Sequence, residues 1–195
     1  MVNTHLTTPI IAGMNAPLEP VTFQQKRRNQ YDVTNRIRID SPDAVFSEIQ
    51  RIYESLYEHP APELLVQASQ TFDDLYCGRY PGYHACDTLY HDQQHSLDAT
   101  LAMSRLMSGY EQQNHDHQLG PTRFLLGIIC AIFHDAGYIR RKQIDTAING
   151  AMYTYEHVQR SALFIRQFLQ STELAHMTTL AENLVHYTGY EIALE

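Results

Sequence analysis

The sequence predicts an all-α fold, a single helical bundle of about six helices around one hydrophobic core. Apolar residues recur at helical spacing in several segments, no convincing alternating strand pattern is found, and the chain contains no internal repeat. A chain of 195 residues, 44% of them hydrophobic, is long enough for one well-cored domain. We expect residues 1–25, rich in Thr, Pro and Asn, to form a flexible N-terminal arm, and residues 26–195 to form the helical domain.

The first two helices are marked by clear start and stop signals. Ser41 followed by Pro42 is typical of an N-cap and a first helical position. The helix that follows has apolar residues on one stripe: Val45, Ile49, Ile52 and Leu56. A second helix is predicted from about Glu63 to Tyr76, ending at Gly78, because proline precedes it and glycine follows it.

Four further helices are predicted from periodicity and from the loops between them. The third should run over residues 90–107, and the fourth should start near residue 122. The fourth segment is apolar nearly all round, so we expect it at the centre of the bundle. The fifth and sixth helices are predicted over residues 149–170 and 172–187.

Composition and charge exclude several classes of protein. The net charge is −8 and the basic residues form no long patch, which argues against nucleic acid as the main partner. No apolar run reaches the roughly 20 residues needed to span a bilayer, so no membrane partner is expected. The cysteines Cys77, Cys86 and Cys130 have no CxxC spacing, which favours a reducing cytoplasm over a zinc knuckle.

The residue pair His134-Asp135 ends the apolar run of residues 124–133. A carboxylate beside an imidazole at the end of a buried helix is costly unless something binds it, and a divalent metal would do so. The alternative is a helix C-terminus closed by Gly137, with His134 favoured by the helix dipole.

A second histidine pair lies upstream. His91 and His95 are four residues apart, so on the predicted third helix they would project from one face, one as a metal ligand and the other as a proton donor. The alternative is an exposed pair beside a loop. The segment also resembles the zincin HExxH motif, but Asp92 is too short to replace the catalytic glutamate, and that reading is rejected.

The motif Tyr90-His91-x-x-x-His95 followed by His134-Asp135-Ala-Gly137 resembles the HD superfamily of metal-dependent phosphohydrolases. Its first half is similar to the YHNxxH signature of class I cyclic-nucleotide phosphodiesterases. The resemblance covers roughly residues 85–190. It implies hydrolysis of a phosphate mono- or diester of a nucleotide, with a small phosphorylated molecule as substrate. The alternatives are an inactive or weak HD module that binds a nucleotide or partner for signalling, and a di-iron oxygenase on the same fold.

The resemblance also implies residue roles. His95, His134 and Asp135 would be metal ligands and His91 the general acid. In members with two metals a histidine on the next helix joins, which implies His157. A later ligand, His186, is a weaker candidate, its alternative being a partly buried histidine near a helix end. The implied cofactor is one or two divalent ions, chosen among Mg, Mn, Fe, Zn and Ni.

The chain departs from the family pattern in three places, one of which is Asp92, where the phosphodiesterases have asparagine. The family's last ligand is an aspartate on a further helix, and none is evident before Glu195; a C-terminal truncation or a substitute such as Glu182 or Glu191 would explain this. Tyr138 stands where many bacterial members have a lysine. Three basic residues that follow could supply phosphate-binding charge instead, or could form a solvated loop: Arg140, Arg141 and Lys142.

Overall fold

The computed structural model describes residues 29–114 and 116–189, and the predicted N-terminal arm lies outside them. The described residues form six α-helices joined by loops and short 3₁₀ turns, with two isolated β-bridges and no strand, so the all-α prediction is confirmed. The helices are α1 (Pro42–Tyr57), α2 (Glu63–Tyr76), α3 (Gln93–Gln113), α4 (Gly120–Phe133), α5 (His157–Gln170) and α6 (Thr178–His186).

Helix α4 is the centre of the bundle, as its uniformly apolar sequence predicts. It packs against every other α-helix. Its side chains Phe124, Ile128 and Ile132 are completely buried. This position matters for the site because α4 ends at Phe133, and the His134-Asp135 pair follows it directly.

Helices α1 and α2 begin and end where the sequence signals predict. The backbone N–H of Ala44 donates to Ser41 Oγ at 3.4 Å, and Pro42 occupies the first turn of α1. Helix α2 is followed by Gly78 in a left-handed conformation with φ of 74°. A side chain at Gly78 would also meet the backbone of Ala85, at 2.6 Å.

The predicted starts of α3, α5 and α6 are wrong. Helix α3 starts at Gln93 rather than at residue 90, because the Asp92 carboxylate accepts the N–H of His95 at 2.9 Å and caps the helix. Helix α5 starts at His157, after a 3₁₀ turn in which Gly150 approaches Tyr138 so closely that a Cβ would lie 2.2 Å from its carbonyl oxygen. Helix α6 is likewise preceded by a 3₁₀ turn, Ala175–Met177.

A buried carboxylate anchors the segment before α1 to α3. Asp32 accepts the backbone N–H groups of Arg36 and Ile37, and its Oδ2 lies 2.7 Å from the Arg105 guanidinium. Burial alone would raise the pKa of Asp32. The hydrogen bonds from Ile37, Thr34, Arg36 and Arg105 outweigh burial and hold the pKa well below its usual range.

No helix within residues 29–114 and 116–189 combines the length and the apolar character required to cross a lipid bilayer.

Candidate metal centre

Three imidazoles converge on one oxygen of a buried carboxylate. Asp135, only 2% exposed, directs Oδ2 toward them. His91 Nδ1 lies 2.7 Å from Oδ2, His134 Nε2 lies 3.1 Å from it, and His95 Nε2 lies 3.3 Å from it. The structure therefore brings together the four residues that sequence analysis selected as the core of the site.

Local capping places the two upstream histidines. Asp92 caps α3, so His95 lies in its first turn and His91 lies just before the helix. The carbonyl of His91 accepts the hydroxyl of Thr88 at 2.6 Å, which fixes the loop that carries it. The expectation that both histidines share one helical face is therefore wrong, although the two rings still meet with centroids 5.5 Å apart.

Close packing against α5 places Asp135. Gly137 follows it in a 3₁₀ turn, where a Cβ would lie 1.9 Å from the carbonyl oxygen of His157. The Gly137 N–H donates to Ser161 Oγ at 2.8 Å, and Arg160 Nε donates to the Gly137 carbonyl at 2.6 Å. Gly137 does not have a positive φ, so it acts through close approach to α5 and not as a left-handed helix cap.

The hydrogen bond made by Nδ1 of His134 indicates whether a cation fits between its Nε2 and Asp135. His134 Nδ1–H donates to the carbonyl of Ala131 at 2.8 Å. In the neutral ring, Nε2 then carries a lone pair that faces the lone pairs of Asp135 Oδ2 at 3.1 Å. Two facing lone pairs repel each other unless a cation, either a proton or a metal ion, lies with them. A backbone carbonyl holding the second ring nitrogen is also the usual support of a metal-binding histidine.

The donor set fits a divalent ion. The ligand atoms of His91, His95 and Asp135 all lie within 4.8 Å of one another, close enough for one ion to reach all of them. Imidazole nitrogen with carboxylate oxygen suits Zn²⁺, Fe²⁺ and other first-row metals, and the geometry does not choose among them. His91, which the resemblance makes an acid, is thus also a member of the possible ligand group.

The contact between Asp135 and His134 shifts the pKa values of both groups. Burial raises the pKa of Asp135, but the hydrogen bonds from His134, His95 and His91 outweigh burial and hold the pKa well below its usual range. For His134, burial lowers the pKa, and the interaction with Asp135 outweighs it and raises the pKa. Asp135 is therefore a carboxylate, ready to bind a cation, at any pH near neutrality.

His157 lies beside this group and is joined to it through an aromatic ring. The Tyr138 ring stacks on both His91 and His157, with centroid distances of 4.3 Å in each case. His157 Nδ1–H donates to the carbonyl of Thr154 at 2.6 Å, so Nε2 keeps its lone pair. In the sequence, Tyr138 stands out only as a departure from the family pattern. Its stacking on His91 and His157 depends on the turn that packs against α5, so neighbouring residues in the sequence do not predict it.

The other proposed ligands lie elsewhere. His186 is an exposed residue at the end of α6, and no contact in the described part of the chain joins it to Asp135. Glu182 forms an ion pair with Arg166 at 2.6 Å. Glu191 lies outside the described residues. Within the described ranges, Asp135 is therefore the only carboxylate in the metal group.

The basic residues after Tyr138 are largely paired. Arg140 binds Asp87 at 2.8 Å, and Arg141 binds the buried Asp145 at 3.0 Å. Lys142 is exposed. The two guanidinium groups therefore carry compensated charge, and Lys142 is the member of the trio whose charge faces solvent.

Searches against family models, curated proteins and solved structures gave no significant match to this chain.

Proposed function

We propose that the protein is a metal-dependent phosphohydrolase that cleaves a small phosphate mono- or diester. The observation that supports this most is the convergence of three imidazole nitrogens on Oδ2 of the buried Asp135. A divalent ion held by this group would lower the pKa of a bound water, giving a nucleophile, and would offset charge on the phosphoryl oxygens.

The ligand side chains are held in position before substrate arrives. His95 is oriented by its place in the capped first turn of α3, and His134 by its hydrogen bond to Ala131. Asp135 is buried and supplies the negative charge, and the turn that follows it packs against α5 at Gly137. Residues fixed in this way lose little conformational entropy when they bind, which favours tight and specific ion binding.

His91 is suited to donate a proton to the departing oxygen. Its Nδ1–H bonded to Asp135 at 2.7 Å would hold the ring in one orientation, with Nε2 turned away from Asp135. Its ring is about one-third exposed, and Nε2 makes no hydrogen bond within the described residues. The ring is therefore open to a substrate on the side away from Asp135.

A second candidate function follows from the single carboxylate of the group. An HD module that binds a metal and a phosphorylated ligand without turnover would also retain His95, His134 and Asp135. The ion pair between Glu182 and Arg166 favours this candidate, because it removes Glu182 as the missing acidic ligand. Measured turnover separates the two candidates, since both predict binding.

Turnover on a panel of phosphate esters tests the proposal. Nucleotide mono- and diesters, which the resemblance implies, form half of the panel, and alkyl phosphates form the other half. We expect hydrolysis that requires Mn²⁺, Fe²⁺ or Zn²⁺ and is lost in Asp135→Asn. Asp116→Asn, an exposed change outside the site, should keep full activity. Absence of hydrolysis with every metal, or equal activity of Asp135→Asn, would overturn the proposal.

The role of His91 needs a separate test. Loss of a general acid slows hydrolysis most for esters with a poor leaving group, whereas loss of a metal ligand slows hydrolysis of all esters. If His91 is the acid, His91→Gln should slow hydrolysis of an alkyl ester by about 10²–10⁴-fold. A nitrophenyl ester, whose leaving group needs no proton, should be hardly affected, and metal content should be unchanged. Equal losses on both esters together with lost metal would assign His91 to the ligand set instead.

A further inference from the structure

An apolar cavity of about 640 Å³ opens next to the candidate metal centre. It lies between α3, α4 and α6, and His134 forms part of its wall. This volume is in the usual range of a small-molecule site. The cavity is therefore large enough for the organic part of a substrate whose phosphate would bind the divalent ion held by the group around Asp135.

The helices align the cavity with the metal group. His95 is followed at intervals of four residues by Ala99, Met103 and Met107, all of which line the cavity on α3. The His95 and His134 rings, at the near end, have centroids 5.4 Å apart. The face of α3 that presents the ligand His95 thus continues directly into the cavity wall.

The dimensions describe an elongated space. From Ala99 to Met107 the wall on α3 runs about 12 Å, and from His134 to Arg123 the wall on α4 runs about 16 Å, at 1.5 Å per residue. Gly127 provides room in the middle, because a side chain there would displace Met107. The exposed Arg123 lines the end far from His134.

The wall chemistry separates one class of substrate from another. Apart from His134, Arg123, Thr188 and the thiol of Cys130, the lining residues carry no polar side-chain group. A nucleobase or a sugar is selected by hydrogen-bond donors and acceptors, and this wall offers almost none in its middle part. An alkyl chain needs only apolar contact and an elongated space, and the cavity supplies both.

We propose that the cavity binds the apolar chain of an alkyl phosphate ester, with the phosphate at the His95, His134 and Asp135 end. This assignment of substrate class rests on the proposed phosphohydrolase function and replaces the nucleotide expected from the resemblance with an amphipathic ester. The apolar chain supplies affinity, and its length sets how far the ester reaches toward Arg123.

Titration calorimetry with butyl, hexyl and octyl phosphate tests the proposal on the full chain, with Mn²⁺ and again with a chelator. If the chain enters the cavity, Kd should fall by about fourfold for each added methylene group, or roughly 250-fold from butyl to octyl. Adenosine monophosphate should bind more weakly than octyl phosphate. Kd values that do not depend on alkyl chain length, or tighter binding of adenosine monophosphate than of octyl phosphate, would overturn the proposal. The first of these results is also the one expected if another part of the polypeptide or a second copy of the protein fills the cavity.

Substitutions of residues that line the cavity test whether octyl phosphate binds there. Leu184→Gln places an amide on the cavity wall at a position already 41% exposed, and should weaken octyl phosphate binding about tenfold. Met103→Trp should fill the space and reduce octyl binding more than butyl binding. Leu106→Gln is the matched control, because Leu106 is exposed on α3 and does not line the cavity. Equal loss in Leu106→Gln and Leu184→Gln would contradict the assignment.

Failure of the proposed function has a different signature. With the chelator present, the dependence of Kd on chain length should persist, because it comes from the apolar wall and not from the metal. A chain-length effect without metal-dependent turnover would support the alkyl site in the cavity and contradict the proposed hydrolase function. Metal-dependent turnover without a chain-length effect would support the hydrolase function and contradict the alkyl site.

Discussion

Replacing Gly137 by alanine tests whether close packing against α5 sets the position of Asp135. The added Cβ would lie 1.9 Å from the carbonyl oxygen of His157, which is a backbone atom and has no flexible way to retreat. Ordinary contact begins at 3.4 Å. The turn and α5 must therefore separate by about 1.5 Å, since atoms inside contact distance repel steeply.

The energetic cost follows from this separation. Overpacking of a tight contact costs about 1–3 kcal/mol, and sometimes more. Separation also weakens the hydrogen bonds that Gly137 makes with Ser161 and Arg160, each contributing about 1 kcal/mol. We expect Gly137→Ala to lose about 4 kcal/mol and to lower Tm by roughly 10 °C for a chain of this size. Affinity for the metal should fall as well, because Asp135 moves with the turn.

Circular dichroism melts with and without Mn²⁺ measure both effects. Gly109→Ala is a matched control within α3, where nothing lies within 4 Å of the added Cβ. There alanine should stabilise the helix by about 1 kcal/mol and raise Tm by about 3 °C. If Gly137→Ala melts within about 2 °C of the unchanged protein, close packing against α5 does not position Asp135 and the reasoning is refuted.

Two further predictions use pKa values outside the metal group. Because the pKa of Asp32 is lowered in the folded protein, its contribution to stability is present above the unfolded pKa of about 4 and is lost as pH falls toward the folded pKa. Urea unfolding should show Asp32→Asn less stable than the unchanged protein by about 2 kcal/mol near pH 7 and by less near pH 3. A difference that does not change with pH would contradict this. Burial raises the pKa of the Cys130 thiol to about 12, whereas Cys77 is exposed. After brief treatment of the native protein with iodoacetamide at about pH 8, peptide mapping should therefore find Cys77 modified and Cys130 unmodified. Equal labelling of the two cysteines would contradict the buried position of Cys130.

Local chemistry explains which helices could be predicted from sequence. The Ser41-Pro42 signal and the close of α2 before Gly78 are written in adjacent residues, and both are confirmed. The start of α3 was also encoded locally, because Asp92 is a good N-cap residue, but periodicity alone placed the start too early. The start of α5 was not encoded locally, because the approach of Gly150 to Tyr138 depends on tertiary packing.

The candidate site shows the same division. Motif spacing selected His91, His95, His134 and Asp135, and the structure brings these four together. Spacing could not show that His91 precedes α3, because that depends on how the Asp92 side chain bonds.

The remaining features of this region depend on long-range packing. The stacking of Tyr138 on His91 and His157 requires the turn that α5 holds in place. The apolar cavity arises only when α3, α4 and α6 are assembled around it, so no sequence pattern marks it.

Metal stoichiometry is the most direct test of the central claim, that the group around Asp135 holds a divalent ion. The protein is dialysed to equilibrium against Mn²⁺ or Zn²⁺, and bound metal is counted by mass spectrometry beside Asp135→Asn and the exposed control Asp116→Asn. We predict one or two ions per chain in the unchanged protein and in Asp116→Asn, and a clear loss in Asp135→Asn. Absence of bound metal in the unchanged protein, or equal metal in all three, would contradict the claim.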